Sequence, residues 1–168
     1  MCKFIAMKKV ILLVVFTMFI GCKESSKSNI QKKADTLDNI SNIVDLNGMP
    51  VDISMFVGKK VLINFWATWC APCKKEMPDL LEAQKILKKE NYIFLLISDE
   101  SQAQILDFKK KTNYDFTFLK STKPTTTLGI YALPTTFVYN EKGEKVDKII
   151  GAVQWSSEKM IGKLKNIK

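Results

Sequence analysis

Apolar and polar positions divide this chain into three stretches with different rhythms. Residues 10–20 form one short apolar block, residues 23–42 are polar, and from Ile43 onward short apolar runs alternate with helix-spaced patterns. Within that last stretch, residues 43–46 and 49–53 flank Asn47-Gly48 and predict a small hairpin. Residues 54–57 predict one helical turn closed by Gly58. Residues 60–67 (KVLINFWA) are almost continuously apolar, as expected of a strand buried on both faces. A helical pattern runs from the following Cys70-Ala71-Pro72-Cys73 to about Lys89. Met77, Leu80, Leu81, Gln84, Ile86 and Leu87 mark its inner stripe, and Pro78 is expected to kink it. Further on, strands are predicted at 92–97, 116–120, 135–139 and 146–150. Helices are predicted at 101–111, 125–131 (short) and 156–167. Strands alternating with helices and finishing in a hairpin and a helix argue for an α/β fold with a mixed sheet.

The apolar block of residues 10–20 would rise about 16 Å as a helix, roughly half a hydrocarbon core, so it is too short to span comfortably. Lys8-Lys9 before it and Gly21 after it complete the pattern of a secretory signal. Phe19-Ile20-Gly21-Cys22 resembles a bacterial lipobox, which implies a lipidated Cys22 as the mature N-terminus, although Phe19 replaces the usual aliphatic residue. An ordinary signal with a chance cysteine, or an uncleaved anchor, are the alternatives. The polar stretch lacks the apolar density to fold alone and reads as a tether with a root-mean-square span of roughly 25 Å. The expected organisation is therefore a signal over 1–21, a flexible tether over 22–42 and one folded domain over 43–168.

Composition removes whole mechanisms. The 168 residues contain no histidine, and all 26 basic side chains are lysine. No His-assisted nucleophile, His-ligated metal or arginine clamp can be built from this chain alone. Of the net charge of +9, three lysines (Lys3, Lys8, Lys9) precede the apolar block and all 17 acids follow it. The remainder therefore carries +6, its lysines mostly spread among acids, with Lys109-Lys110-Lys111 the longest run. That pattern reads as a solvated face, or as attraction to anionic headgroups, rather than as a nucleic-acid site.

Cysteines two residues apart act as zinc ligands, as a redox dithiol, or stand together by chance. Structural zinc needs four ligands, and the only other thiols, Cys2 and Cys22, belong to the signal region. The redox reading gains from context. Here the pair lies where a buried strand hands over to a helix, so the first sulfur sits among unpaired N–H groups that favour a thiolate. Pro72 suits the first helical turn, where its missing N–H costs nothing.

The segment NFWATWCAPCKKEMP (residues 64–78), followed some sixty residues later by Leu133-Pro134-Thr135-Thr136-Phe137, resembles thioredoxin-like proteins of the TlpA/ResA type. The likeness in element order covers about three quarters of the chain. It implies a thioredoxin fold, with a central mixed sheet flanked by helices and the hairpin as an N-terminal extension. It also implies a thiol–disulfide oxidoreductase that needs no cofactor and no metal. Cys70 would attack a substrate disulfide and Cys73 would resolve the mixed disulfide. Pro134, expected cis, would face the dithiol and leave the Leu133 backbone free to pair with a substrate strand. Glu76 matches an acid of the ResA branch and would exchange a proton with Cys73; a solvated glutamate is the alternative. Asn64 stands where thioredoxin has a buried aspartate, which shifts the acid role to Glu76. Trp69 would flank the reactive sulfur, and Trp66, within the strand, would pack in the core. Ala-Pro between the cysteines resembles reducing thioredoxins more than strong oxidants. The implied partners are disulfide-containing extracytoplasmic proteins, apocytochrome c among them, and a membrane electron donor of the DsbD/CcdA type.

Two rival readings compete with this one. A thiol peroxidase of the peroxiredoxin type would pair its cysteine with an arginine, and the chain has none. A Cu(I) carrier could use two thiolates, but familiar carriers of this fold add a histidine.

Overall fold

The computed structural model describes residues 35–168. The signal segment, the lipidation candidate Cys22 and the first part of the expected tether lie outside the described residues. Six strands make one mixed sheet: β1 (Ile43–Val44), β2 (Lys60–Phe65), β3 (Tyr92–Ser98), β4 (Thr117–Ser121), β5 (Thr135–Tyr139) and β6 (Lys145–Ile150). Their order across the sheet is β1-β4-β3-β2-β5-β6. β2 pairs parallel to β3 and antiparallel to β5, and β3 pairs parallel to β4. Among the described residues three α-helices accompany the strands: α1 (Ala71–Leu87), α2 (Gln102–Thr112) and α3 (Glu158–Lys165). None of these is long and apolar enough to cross a membrane.

The apolar run of β2 is central because both of its faces are covered. Leu62 points with Trp66, Leu96 and Val138 into a core shared with Met77, Leu80, Ala83 and Leu87 of α1, Ile105 of α2 and Leu164 of α3. Val61, Ile63 and Phe65 point the other way, alternating as the pleat requires. The same alternation places Asn64 on the helix-facing side, directly opposite Thr136 of β5.

Among the described residues no long helix covers the second face; residues 35–42 lie over it, and this corrects the tether boundary. Residues 35–42 pack on the domain instead of leaving it. Leu37 and Ile40 are 1% and 6% exposed and join Ile43 and Ile53 over the sheet. Leu37 N–H donates to the Gly143 carbonyl at 2.9 Å, Lys145 N–H to the Asp35 carbonyl at 2.7 Å, and Lys145 Nζ pairs with the Asp35 carboxylate. The physical reason is an apolar spacing of three, Leu37–Ile40–Ile43, hidden among polar residues. Gly143 has φ +78, and a Cβ there would meet Val57 Cγ2 at 3.0 Å, so the turn and the segment over it are fitted around a missing side chain.

The N-terminal hairpin is reduced. Asp45 Oδ1 accepts from the Asn47 and Met49 N–H groups and shapes the turn, but the second arm contributes only a bridge between Pro50 and Val44. Proline brings no N–H to extend the pairing, and β1 instead pairs antiparallel with β4. On α1, Ile86 proves exposed and Ala83 takes its place inside; the helix runs through Pro78 without ending.

Candidate active site

Four segments meet at one end of the sheet. The parallel pairs β2–β3 and β3–β4 put their C-terminal ends together, and the antiparallel β5 begins there, with Thr135 opposite Phe65. Such strand ends are where open α/β sheets place their chemistry. Cys70 closes the loop after β2 and serves as the N-cap of α1: its Sγ accepts the Cys73 N–H at 3.2 Å. Cys70 and Cys73 form a disulfide with Cα atoms 5.3 Å apart. Both residues are buried, Cys70 at 4% exposure and Cys73 at zero. Access is therefore narrow and comes from the Cys70 side.

Two consecutive acids after β3 grip the loops that frame the disulfide. Glu100 accepts the Thr68 N–H at 2.6 Å on Oε2 and the Thr68 hydroxyl at 2.6 Å on Oε1. Asp99 Oδ2 accepts from the N–H and hydroxyl of Thr125 at 2.8 and 3.1 Å. Lys120 Nζ donates to the Glu100 carbonyl at 2.6 Å and holds the same corner. Thr68 leads directly to Trp69 and Cys70, and Thr125 opens the turn that leads toward Pro134. Sequence reasoning passes over both acids. The available signal is an Asp-Glu pair following a buried strand parallel to the one that carries the CxxC motif.

The Leu133–Pro134 peptide is cis, as expected. The Pro134 carbonyl accepts the Gly151 N–H at 2.8 Å, whereas no backbone hydrogen bond engages Leu133 among the described residues. Trp69 is 72% exposed and Tyr131 84%, both on the loops at this end, while Trp66 is buried against Phe108 and Phe118. Nothing in the sequence pattern singles out Tyr131.

Glu76 is 4% exposed, which removes the solvated reading. Asn64 Nδ2 donates to its Oε1 at 2.9 Å and also to Thr136 Oγ1 at 2.9 Å. Oε2 accepts the Trp155 indole N–H at 2.9 Å and the Val153 N–H at 3.2 Å. Burial pushes the carboxyl above its ordinary proton affinity; the donors from Trp155, Asn64 and Val153 pull it back, and Asp79 adds a smaller upward push. Cys73 precedes Glu76 by three residues on α1. Among the described residues no group of three His, Cys, Asp or Glu side chains is placed to hold a metal ion.

A strand-to-helix CxxC and a cis-proline just before β5, the strand paired with β2, narrow the fold, and comparison with known proteins decides the family. A family model described as Redoxin matches residues 32–163. The chain belongs to the Redoxin family. Within it, a thiol-disulfide oxidoreductase ResA of Bacillus cereus is 34% identical over 158 residues, which cover 92% of this chain and 88% of that protein. Among solved structures, a thioredoxin-family thiol:disulfide interchange protein of Chlorobium tepidum superposes with a TM-score of 0.60 at 23% identity, covering 73% of this chain and 91% of the other. The pneumococcal exposed lipoprotein thioredoxin Etrx1 of Streptococcus pneumoniae gives 0.63 at 25%, covering 74% and 97%. This Redoxin-family chain is a ResA-like thiol–disulfide oxidoreductase of thioredoxin fold, with Cys70–Cys73 as its redox-active disulfide.

Proposed function

We propose that this oxidoreductase reduces disulfides of extracytoplasmic proteins from a lipid anchor at Cys22, apocytochrome c being one such substrate. The observation that carries the reading is the environment of the CxxC pair: one sulfur caps α1, the other is wholly buried, and an enclosed carboxylate stands one turn further on. In the reduced protein, the Cys70 thiolate is favoured by the N–H groups of the first turn and attacks one sulfur of a substrate disulfide. The substrate's S–S bond breaks as the mixed disulfide forms, and its departing sulfur takes a proton. Glu76 accepts the proton of Cys73. The Cys73 thiolate then attacks Cys70 Sγ, the bond to the substrate breaks, and the second substrate sulfur leaves as a thiol after protonation. Substrate gains two electrons and the protein is left with its Cys70–Cys73 disulfide.

Trp69, Leu133 and Pro134 form the docking rim, the free Leu133 backbone offering hydrogen bonds to an extended substrate segment. Surroundings outside the cytoplasm oxidise dithiols, so the cycle requires electrons from a dithiol donor in the membrane, of the DsbD/CcdA type. The lipobox-like residues 19–22 and the description of Etrx1 as an exposed lipoprotein support the location. Likeness to ResA supports the chemistry.

The equilibrium potential of the Cys70–Cys73 pair against glutathione tests the direction. A value near thioredoxin's, about −270 mV, is expected; one near that of DsbA, about −120 mV, would make the protein an oxidant. Mass spectrometry of the mature N-terminus tests the anchor, which an unmodified Cys22 would rule out.

A further inference from the structure

Trp155 lies in the irregular stretch between β6 and α3, yet it is fully buried. An indole N–H can only donate. Here it is aimed at Glu76 Oε2 at 2.9 Å, beside the Val153 N–H on the same oxygen and opposite the Asn64 amide on Oε1. Glu76 therefore meets three donors and no acceptor in its immediate set. Oε2 already takes two donors, so a proton there would displace one of them. A proton on the remaining site of Oε1 would find no acceptor in this set, whereas the ionised form satisfies all three donors.

We propose that Trp155 is a positioning residue that holds Glu76 as a carboxylate aimed to receive the Cys73 proton. The proposal rests on the role given to Glu76 above and adds the group that keeps it in the accepting form. Burial works against that form, and the indole is the foremost of the forces opposing burial. Few other charges intervene. Lys75 and Asp79 of α1 border an open cleft of about 680 Å3 beside Glu76; residues 152–157 bring no charge to it. From the sheet side the facing groups are the neutral Asn64 and Thr136. Glu76 is among the residues lining that cleft and Trp69, Cys70, Leu133 and Pro134 are not, so the cleft approaches Glu76 apart from the docking rim.

The test uses the full chain with Cys2→Ser and Cys22→Ser, reduced and mixed with 5,5′-dithiobis(2-nitrobenzoate) by stopped flow. The first chromophore release reports attack by Cys70. A second release reports Cys73 resolving the mixed disulfide, and its pH dependence is followed. Trp155→Phe keeps an aromatic ring in the core but removes the donor; it should move the inflection of the second phase up by about one pH unit. In a Glu76→Gln background the same substitution should move nothing.

If Glu76→Gln abolishes the inflection while Trp155→Phe leaves it unmoved, the positioning role is overturned and that of Glu76 stands. An inflection that survives Glu76→Gln overturns both. An equal shift in both backgrounds makes Trp155 a packing residue only and overturns the proposal. Should Trp155→Phe fail to fold, the unsubstituted indole answers instead. With 15N-labelled tryptophan, the Trp155 N–H resonance should titrate with the midpoint of the second phase, and a resonance flat through that range overturns the assignment.

Discussion

The Asn64 amide spans the gap between sheet and helix, donating at 2.9 Å to Glu76 on α1 and at 2.9 Å to Thr136 on β5. Asn64 is the one buried polar side chain of strand β2, and it fixes the carboxylate. Because burial is the largest influence on Glu76, its proton affinity is raised in the folded protein. The native state therefore binds the proton more readily than the unfolded chain between the ordinary Glu value of 4.5 and the raised one. Across that window the contribution of this group to stability is full at the acid end and is lost as pH rises. Urea unfolding midpoints measured from pH 4 to 8 should show this falling component, and Glu76→Gln should remove it. A slope unchanged by the substitution would mean that another group is responsible.

Glu100 makes a separate prediction. Glu100→Ala removes the acceptors of the Thr68 N–H and hydroxyl, half-buried at the entrance to the CxxC loop. Leaving such donors unmatched should cost about 1–3 kcal/mol of stability. Because Thr68 sets the path into Trp69 and Cys70, reduction of a protein disulfide should slow as well. Glu100→Gln, which keeps one acceptor oxygen, should recover part of both losses. Denaturant titration together with an insulin-reduction assay reads the two effects, and full activity in Glu100→Ala would remove the positioning role.

What the sequence made legible followed from local patterns. The continuous apolar run of β2 announced a strand buried on both faces, and the CxxC motif after it announced a sulfur at a helix N-terminus. Ser101 and Gln104 form a capping box that starts α2 where the pattern begins. The partners of the site were less visible because their contacts are long-range and their segments irregular. Trp155 reaches Glu76 across 79 positions of sequence, from a stretch with no periodicity. Glu100 and Thr68 are 32 apart and meet only because β2 and β3 run parallel. Spacing along the chain carries no trace of either meeting.

Trp69 should separate docking from chemistry. At 72% exposure its side chain adds little to folding, so Trp69→Ala should leave stability within about 0.5 kcal/mol. If the indole forms part of the docking rim, KM for a protein disulfide should rise severalfold. Turnover of a small disulfide such as oxidised glutathione should change far less. Equal losses on both substrates would place Trp69 in the chemical step and remove it from docking.

The last prediction concerns where the folded domain begins. Leu37 is 1% exposed in the second core, on the face of the sheet opposite α1, and its backbone is tied to the Gly143 turn. If residues 35–42 were a solvated linker, shortening this side chain would change nothing. Packed as they are, Leu37→Ala should cost about 2–5 kcal/mol, the range for emptying a buried leucine site. Asp38→Ala, one residue on and exposed, supplies the control and should stay within about 0.5 kcal/mol. Unfolding of the two variants in urea therefore locates the boundary. A large loss for Leu37→Ala alone makes this segment the cover of the second core, whereas equal and negligible losses return it to the tether.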